Sequence, residues 1–469
     1  MEVLISFIEE HFLGTILCMM WLLQLWHYYL DWRQRTLIQR LVDFPKSVEG
    51  IMTKDTYDKA RAYALDKNSF DIVANIHSDI LNVIILLTYG PYHVWQWSIY
   101  VAKYCGIDHE NTILLSPIFV FTMNFILKVL NLPLTIYHVF VLEEKYGFNK
   151  QTAGFFIKDT IKQFIVYEMI VSPLLCLMLW IIQNGGDYFY FYLWIMIIVV
   201  SLLVMIIYPE LIAPLFDKYT PLPDGELKQK IEELAASLKF PLQKLFIVEG
   251  SMRSTHSNAY MYGFHKHKRI VLFDTLIKGY CKKNDSDADK DKDKDKDKDK
   301  DKDKDKDKDK DKDKGCETNE ILAVLAHELG HWKHNHTLKR FIFGQIFVAI
   351  DILIFAKLMQ YTPMYRAFGF VDSQPILIGF IIVMTYIMIP LNTILYFISV
   401  VIQRKFEFQA DKFATTLGHG QDLKTSLLKL QEDNLEFPLY DKLYSSWHHS
   451  HPSVIERLEA ISETIRKTN

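Results

Sequence analysis

Apolar residues run along this chain in seven long stretches separated by more polar segments. The stretches cover residues 12–30, 80–101, 112–141, 164–183, 189–208, 341–361 and 376–402. A helix needs about 20 mainly apolar residues to cross a lipid bilayer, so the pattern predicts about seven transmembrane helices. Six or eight transmembrane helices are the alternatives, because Gly90 and Pro91 interrupt the second stretch. The first stretch follows Glu9 and Glu10 rather than basic residues, which indicates a retained anchor and not a secretion signal.

The remaining segments have the patterns of folded structure outside a membrane. Residues 209–340 predict a helix from Glu226 to Leu238 and a long helix from about Thr318 to Arg340, with two short strands between them, at 245–248 and 269–273. Residues 403–469 predict further helices with a turn at His451. The predicted organisation is a membrane region with about five spans, a mixed α+β segment, a transmembrane hairpin and a helical C-terminal segment, at 1–208, 209–340, 341–402 and 403–469.

Basic residues in the loops predict the orientation in the membrane. The segments after the first and third apolar stretches, and the mixed segment itself, carry more Lys and Arg than the short loops on the opposite side. Because cytosolic loops carry an excess of Lys and Arg, we expect residues 209–340 and the C-terminus to lie in the cytosol.

The overall composition resembles that of a soluble protein until one segment is set aside. The chain is 23% charged and 50% hydrophobic, but residues 289–314 are a strict alternation of thirteen Asp and thirteen Lys. Without them the charged fraction falls to about 19%, or 83 of 443 residues. We interpret the tract as a solvated, disordered insertion. A net charge of −3 without a basic cluster argues against a nucleic-acid binder. Five scattered cysteines without a CxxC pair argue against a disulfide framework.

The strongest chemical signal is the HExxH motif formed by His327, Glu328 and His331. Residues four apart share one face of a helix, so both imidazoles can reach a single metal ion. Zinc favours such nitrogen ligands, and a catalytic zinc site keeps one position for water, whose proton Glu328 can accept. The alternative is a helix with solvated histidines. Apolar residues on the same helix argue against it, because they back the motif with packing; they are Ile321, Leu322, Val324, Leu325 and Leu329.

A third protein ligand has to come from elsewhere in the chain. The pattern HExxHxxGxxH would need Gly at 334 and His at 337, but the chain has His334 and Thr337, which excludes the metzincin arrangement. His334 and His336 lie too close to His331 for good tetrahedral geometry, so we predict that both are solvated. The better candidate is Glu407, because the transmembrane hairpin returns the chain to the same side of the membrane.

Asp411 lies one helical turn beyond Glu407. From there its carboxylate is well placed to accept a hydrogen bond from a ligand histidine, as partners of zinc-binding histidines commonly do. The alternative is an acidic pair on an exposed helix, and the nearby HExxH motif disfavours it.

These motifs resemble those of the type I CAAX prenyl proteases, which are integral-membrane zinc endopeptidases. HELGHW at 327–332 and FEFQAD at 406–411 carry the resemblance most specifically. Further similar stretches are LEEKYGFNKQT at 142–152, YPELIAPLFDKYTPLPDGEL at 208–227, STHSNAYMYGF at 254–264, RIVLFDT at 269–275 and WHHSHPSVIER at 447–457. The resemblance covers about residues 130–460 outside the Asp-Lys tract.

The resemblance implies a role for each residue of the metal site. His327, His331 and Glu407 would bind one Zn²⁺ per chain, and Glu328 would be the general base. Asp411 would be the hydrogen-bond partner of a ligand histidine.

The resemblance also implies a substrate-binding strand. Residues 256–259 are similar to an edge strand to which an extended peptide adds through main-chain hydrogen bonds, and Asn258 and Ala259 would contact that peptide. The alternative is a turn, because Ser257 followed by Asn258 is a common turn pair.

The C-terminal motif implies three further residues near the active site. His448 would stabilise the oxyanion that forms during peptide hydrolysis, and His451 and Arg457 would contact substrate. The alternative is a set of histidines that cap helices on a polar surface.

The implied fold is predominantly α: a polytopic membrane protein with about seven transmembrane helices around a polar chamber, plus a cytosolic, zincin-like α+β catalytic domain. Polar residues within the spans agree with a water-filled chamber, and pairing between helices is the alternative explanation. These residues are Asp79, Asn82, Lys128, Glu168, Gln345, Asp351 and Asn392.

The implied function is removal of the C-terminal aaX tripeptide from prenylated CaaX proteins at the endoplasmic reticulum membrane. The expected partners are these substrates and the lipid bilayer, with no nucleic acid. One alternative is a quality-control zinc protease that cuts unfolded or stalled membrane proteins. Another is a channel- or transporter-like scaffold whose HExxH motif is structural.

Overall fold

The computed structural model describes residues 11–263, 268–280 and 314–468, and most of these residues are helical. Apart from Lys314, the predicted Asp-Lys insertion lies outside the described residues. The α-helices are α1 Phe12–Arg40, α2 Lys54–Leu87, α3 Gly90–Tyr104, α4 Thr112–Tyr137, α5 Ala153–Asn184, α6 Phe189–Ile207, α7 Ala213–Phe216, α8 Glu226–Ser237, α9 Thr318–Lys333, α10 His336–Leu358, α11 Thr362–Ala367, α12 Ile376–Ile382, α13 Ile389–Ala414, α14 Gly420–Asp433, α15 Lys442–His448 and α16 Val454–Thr468.

The strands are β1 Tyr219–Pro221, β2 Leu242–Val248, β3 Ala259–Tyr262 and β4 Lys268–Phe273. Short 3₁₀ segments lie at Lys46–Val48, Gly186–Tyr188, Gly250–Met252 and Asp274–Leu276. Segments of π-helix lie at His138–Glu143, Tyr208–Ile212, Val383–Ile387 and Thr415–His419.

Within the described residues, five helical stretches are long and apolar enough to cross a membrane. They are Lys54–Leu87, Thr112–Glu143, Ala153–Asn184, Gly186–Phe216 and His336–Leu358. A sixth span is possible where Ile376–Ile387 and the helix that starts at Ile389 meet at a bend of 59°. The stretch at 12–30, which we also predicted as a span, is not in this set, and of the predicted span at 80–101 only residues 80–87 lie within it. The second of them is divided, because Tyr89 has a left-handed backbone (φ 51°) and α3 starts at Gly90.

The mixed segment contains a four-stranded sheet in the order β1-β2-β4-β3. β2 and β4 are parallel, and the outer strands β1 and β3 are antiparallel to their neighbours. The two predicted strands are thus the central pair. The apolar pattern missed both edge strands, although the family resemblance implied an edge strand at 256–259, next to the observed β3. One hydrophobic core joins the sheet to α8 and α9, with Ile231, Ile247, Ile270 and Leu325 fully buried in it. The sheet therefore anchors the helix that carries the HExxH motif.

The predicted long helix from Thr318 to Arg340 is wrong, because it is two helices. α9 ends at Lys333, and Asn335 adopts a left-handed conformation (φ 54°) before α10 starts at His336. Asn tolerates this conformation better than most residues, so it can change the chain direction here.

By contrast, α13 runs without a break across residues 402 and 403, where we predicted a domain boundary. The helix that carries Glu407 is therefore continuous with the transmembrane hairpin.

Candidate active site

The HExxH motif lies on α9, which is fixed at both its start and its apolar face. Glu317 and Glu320 form a reciprocal capping box at the start of the helix, which satisfies backbone N–H groups there. Leu325 and Leu329 are fully buried against the core of the sheet. His327 and His331 share another face of the helix, and their Nε2 atoms lie 3.2 Å apart. The packing of α9 thus aims both imidazoles at one point.

Glu407 on α13 completes this group. Its Oε1 lies 3.4 Å from Nε2 of His331, and its Oε2 lies 3.4 Å from Nε2 of His327. One ligand atom from each of the three residues lies within 4.8 Å of the other two. Oε2 of Glu407 is buried without a hydrogen-bond partner in the part of the chain that the structure describes. Since an unpaired buried carboxylate oxygen is costly, this orphaned atom fits a site for a metal ion.

A glycine allows α9 and α13 to approach closely enough for these contacts. A Cβ added at Gly330 would lie 3.0 Å from Cα of Ala410 and 3.2 Å from Cβ of Phe413. Gly330 is thus the point where the two helix backbones meet, between the His331 side of the site and the turn after Glu407. The glycine of the HELGH sequence therefore has a packing role.

Asp411 lies behind His327, on the side of the ring that faces away from His331 and Glu407. Its Oδ1 lies 2.8 Å from Nδ1 of His327, and Arg457 on α16 donates hydrogen bonds to both carboxylate oxygens, at 2.6 and 2.8 Å. Asp411 is 1% exposed, so Arg457 neutralises a carboxylate that water cannot reach. Arg457, which we expected to contact substrate, contacts Asp411 and holds the partner of a candidate ligand. Its contact with substrate stays a prediction.

His336 is the main correction within the site. We predicted that His334 and His336 are both solvated, and His334 is indeed exposed. His336 is only 1% exposed, and its Nδ1 lies 3.0 Å from Nδ1 of His331. The prediction was wrong because it assumed one continuous helix, whereas the break at Asn335 turns the following residue back towards the site.

Glu328 and His451 lie beside the three candidate ligands. Burial raises the pKa of Glu328, while the nearby charges of His327 and His331 act in the opposite direction. A carboxylate with a raised pKa is a better proton acceptor than an ordinary surface carboxylate. His451 brings its Nε2 to 3.4 Å from Oε1 of Glu407, although most of its side chain is exposed. Both residues are therefore positioned to act on a molecule that enters the site.

The other predicted residues lie further from these contacts. Asn258 is exposed and its side-chain oxygen accepts a hydrogen bond from the backbone N–H of Ala259, the first residue of β3. β3 does form an edge of the sheet, and it begins at 259 rather than 256. His448 packs its ring against His27 on α1 and Tyr444, and burial lowers its pKa to about 4. His448 is therefore a half-buried imidazole that is neutral at neutral pH.

Comparison with known proteins identifies the family. Residues 34–218 match the family described as CAAX prenyl protease N-terminal, five membrane helices, and residues 221–465 match peptidase family M48. The chain is 45% identical to CAAX prenyl protease 1 homolog of Mus musculus, over 97% of this chain and 96% of that protein. It is 44% identical to the Homo sapiens homolog, with the same coverage. The chain belongs to the CAAX prenyl protease family. It is therefore a membrane metalloprotease.

The fold of this CAAX prenyl protease family member also agrees with a solved structure. The crystal structure of S. mikatae Ste24p superimposes with a TM-score of 0.81 at 33% sequence identity, covering 96% of this chain and 98% of that one. The predicted fold class, a mainly helical membrane protein with a small sheet, is thus confirmed, whereas the count of seven spans and the chamber stay predictions.

Sequence reasoning gave His336, which contacts His331, the wrong environment, and it missed Gln409, which contacts His336. The only signal for them was Asn335, whose tolerance of left-handed backbone can end a helix. If α9 ends before Asn335, His336 does not follow the helical spacing of α9. There is then no reason to place His336 on the solvated face of that helix.

Proposed function

We propose that this chain is a zinc metalloendopeptidase that removes the C-terminal aaX tripeptide from prenylated CaaX proteins. The observation that carries the proposal is the group of His327, His331 and Glu407, whose ligand atoms lie within 4.8 Å of one another, beside Glu328. Two imidazoles and one carboxylate are the ligand set of a known class of catalytic zinc site, in which a fourth position stays open. The relatives are named CAAX prenyl proteases, which supports the substrate class.

The residues around the metal site divide the chemistry between them. When bound, zinc supplies Lewis acidity, which polarises the scissile carbonyl and lowers the pKa of water. Glu328 accepts the proton of the attacking water and returns it to the leaving amine. Its burial favours this exchange, because the raised pKa brings the carboxylate closer to the pKa needed for transfer in both directions. His327 is held in one orientation by Asp411, which Arg457 neutralises.

The edge of the sheet supports a binding mode for the peptide. Among the residues that the structure describes, β3 has one neighbour in the sheet, β4, and it also packs near α9. An extended peptide can therefore add to β3 through main-chain hydrogen bonds, with Asn258 and Ala259 at the start of the added strand. His451 would contact the peptide near Glu407, and His448 would contribute to oxyanion stabilisation.

The membrane helices support a lipid-linked substrate. A prenyl group partitions into apolar surroundings, so a protease embedded in a bilayer can meet the lipid and the peptide tail together. We propose the endoplasmic reticulum membrane as the location, with the catalytic segment and C-terminus in the cytosol, in line with the distribution of basic loop residues. The comparisons do not favour a quality-control protease or a non-catalytic scaffold.

Replacement of the proposed base tests this function. Glu328→Gln keeps the size and shape of the side chain but removes the proton acceptor, so we expect zinc to remain bound and cleavage to fall by at least about 100-fold. The purified full chain would be incubated with a farnesylated CaaX peptide and with its unprenylated twin, and the products measured by mass spectrometry. Glu232→Gln, which changes an exposed glutamate on α8, is the matched control.

Several outcomes would contradict the proposal. Undiminished release of the tripeptide by Glu328→Gln would refute the role of Glu328. Equal turnover of the prenylated and unprenylated peptides would refute the substrate class and favour the broader protease. Cleavage by the unmodified chain that persists after exhaustive chelation would refute the metal mechanism.

A further inference from the structure

The ring of His331 has a second nitrogen, and a chain of contacts leads away from it. Nδ1 of His331 lies 3.0 Å from Nδ1 of His336, and Nε2 of His336 lies 2.9 Å from Oε1 of Gln409. Both distances fall in the range of hydrogen bonds. This series of contacts thus connects a candidate metal ligand on α9 with the first residue of α10, and that residue with α13.

The chemistry of each group decides which nitrogen or oxygen donates and which accepts in these two hydrogen bonds. A histidine that binds a metal through Nε2 carries its proton on Nδ1, so His331 donates to His336. Nδ1 of His336 must then accept, which leaves the proton of His336 on Nε2. That proton is donated to Oε1 of Gln409, and an amide oxygen can only accept. One neutral tautomer of His336 therefore satisfies every contact, without a charged group.

The surroundings of His336 hold its ring in this orientation. The ring is 1% exposed and stacks on Phe406, with centroids 4.0 Å apart and planes 7° from parallel. Phe406 directly precedes Glu407 on α13, and Gln409 follows two residues later. One face and one nitrogen of His336 are thus fixed by the same helix turn that supplies the third candidate ligand.

The two histidines of the motif are supported in different ways. Behind His327 stands the carboxylate of Asp411 with its partner Arg457, whereas behind His331 stands a neutral imidazole followed by an amide. Partners that hydrogen-bond to a metal-binding histidine fix its tautomer and the orientation of its ring. His336 and Gln409 can therefore support the ring of His331 as Asp411 and Arg457 support the ring of His327, but with uncharged groups.

We propose that His336 and Gln409 are positioning residues that fix the tautomer and ring orientation of His331 for metal binding. This inference rests on the metal site of the proposed function and adds a second supporting arm to it. Neither residue would touch the substrate. Their contribution would appear in how tightly the metal is held, as well as in activity.

Two substitutions at position 336 distinguish the effect of the hydrogen bond to His331 from the effect of packing against Phe406. His336→Phe keeps an aromatic ring to stack on Phe406 but removes the acceptor for His331, whereas His336→Asn places an amide oxygen close to the former Nδ1 position. Purified full-length protein loaded with Zn²⁺ would be titrated with a competing chelator, and the retained zinc measured by atomic emission. We expect zinc affinity to fall by about 10- to 100-fold in His336→Phe, and by only a few-fold in His336→Asn.

Two further variants keep the test decisive if a change at 336 impairs folding. Gln409→Leu removes the oxygen that accepts the hydrogen bond from His336 and should also weaken zinc binding. Gln409→Glu retains an acceptor oxygen, so its zinc affinity should stay close to that of the unmodified protein. Lys333→Ala is the control, because Lys333 is an exposed residue at the end of α9, next to the same short connection to α10. Its zinc affinity should equal that of the unmodified chain.

The outcomes distinguish this inference from the proposed function. Zinc affinity in His336→Phe equal to that in Lys333→Ala would overturn the positioning role. A loss in His336→Asn as large as or larger than that in His336→Phe would also overturn it, because only the phenylalanine keeps the ring that stacks on Phe406. If the unmodified chain retains no zinc, both proposals are refuted. If it retains zinc but cleaves no prenylated peptide, the substrate class is refuted and the expected order of zinc affinities still supports the role of His336.

Discussion

Gly330 offers the sharpest test of how the candidate active site is assembled. In Gly330→Ala, the new Cβ would stand 3.0 Å from Cα of Ala410, whereas ordinary contacts of this kind begin near 3.4 Å. The opposing atom belongs to a backbone, so it cannot rotate away as a side chain would. The helices α9 and α13 would have to separate by about 0.4 Å at this point, and such overpacking typically costs about 1–3 kcal/mol.

A second helical glycine provides the matched control. Gly344 lies in α10, and a Cβ added there meets nothing within 4 Å. Both changes gain the same helix propensity, about 1 kcal/mol for Gly to Ala, so their difference isolates the contact with Ala410. We expect Gly330→Ala to be about 1–3 kcal/mol less stable than Gly344→Ala.

The assay would follow both stability and the metal site. Thermal unfolding in detergent, with and without chelator, would give the stability difference, and a chelator titration would give zinc affinity. Because His331 is the next residue, separation of the helices should also lengthen its distance to Glu407 and weaken zinc binding. If Gly330→Ala matches Gly344→Ala in both stability and zinc retention, the close helix contact does not assemble the site.

Two further predictions concern buried ionisable groups. Arg457→Met should leave the buried carboxylate of Asp411 without its cationic partner, which costs about 3–5 kcal/mol; denaturant unfolding would measure this loss of stability. Lys218→Met, which breaks an ion pair with an exposed lysine, is the control and should cost about 1 kcal/mol or less. Equal costs would refute the burial argument. His448 has a pKa of about 4, against an ordinary 6.5, because it is buried. The unfolded chain therefore binds a proton in this range before the folded chain does, and stability is lost as pH falls from 6.5 towards 4. In His448→Gln this loss should be smaller, and parallel curves of melting temperature against pH would contradict the assignment.

The central parts of the candidate site follow from local rules and topology. Spacing of four residues on a helix brought His327 and His331 together, and the return of the chain after the hairpin pointed to Glu407. Asp411 followed from one further helical turn. Each of these steps needs only the period of a helix and the connection of neighbouring helices, and both are readable in an apolar pattern.

The edge strands and the helix break could not be read in the same way. β1 has three residues and pairs with β2, which follows only after α8, whereas β3 has four residues and pairs with the next strand, β4. Strand preference depends strongly on such partners, so a short segment beside a turn pair gives a weak signal. The two strands with continuous apolar runs were the ones that lie in the centre of the sheet.

One residue, Asn335, decides whether His336 faces solvent or the metal site. If α9 continued without a break, position 336 would fall five residues after His331, about 140° around the helix axis from it. The left-handed turn ends that relation and starts a new helix whose first residue lies against Phe406 and Gln409. A hydrophobic pattern averages over several residues and cannot register a reversal made by one. Asn335→Ala, which disfavours the left-handed turn by about 1 kcal/mol or more, should therefore weaken zinc retention through the same loss of contact between His336 and His331. Unchanged zinc retention in a folded Asn335→Ala protein would show that the turn does not depend on Asn at this position.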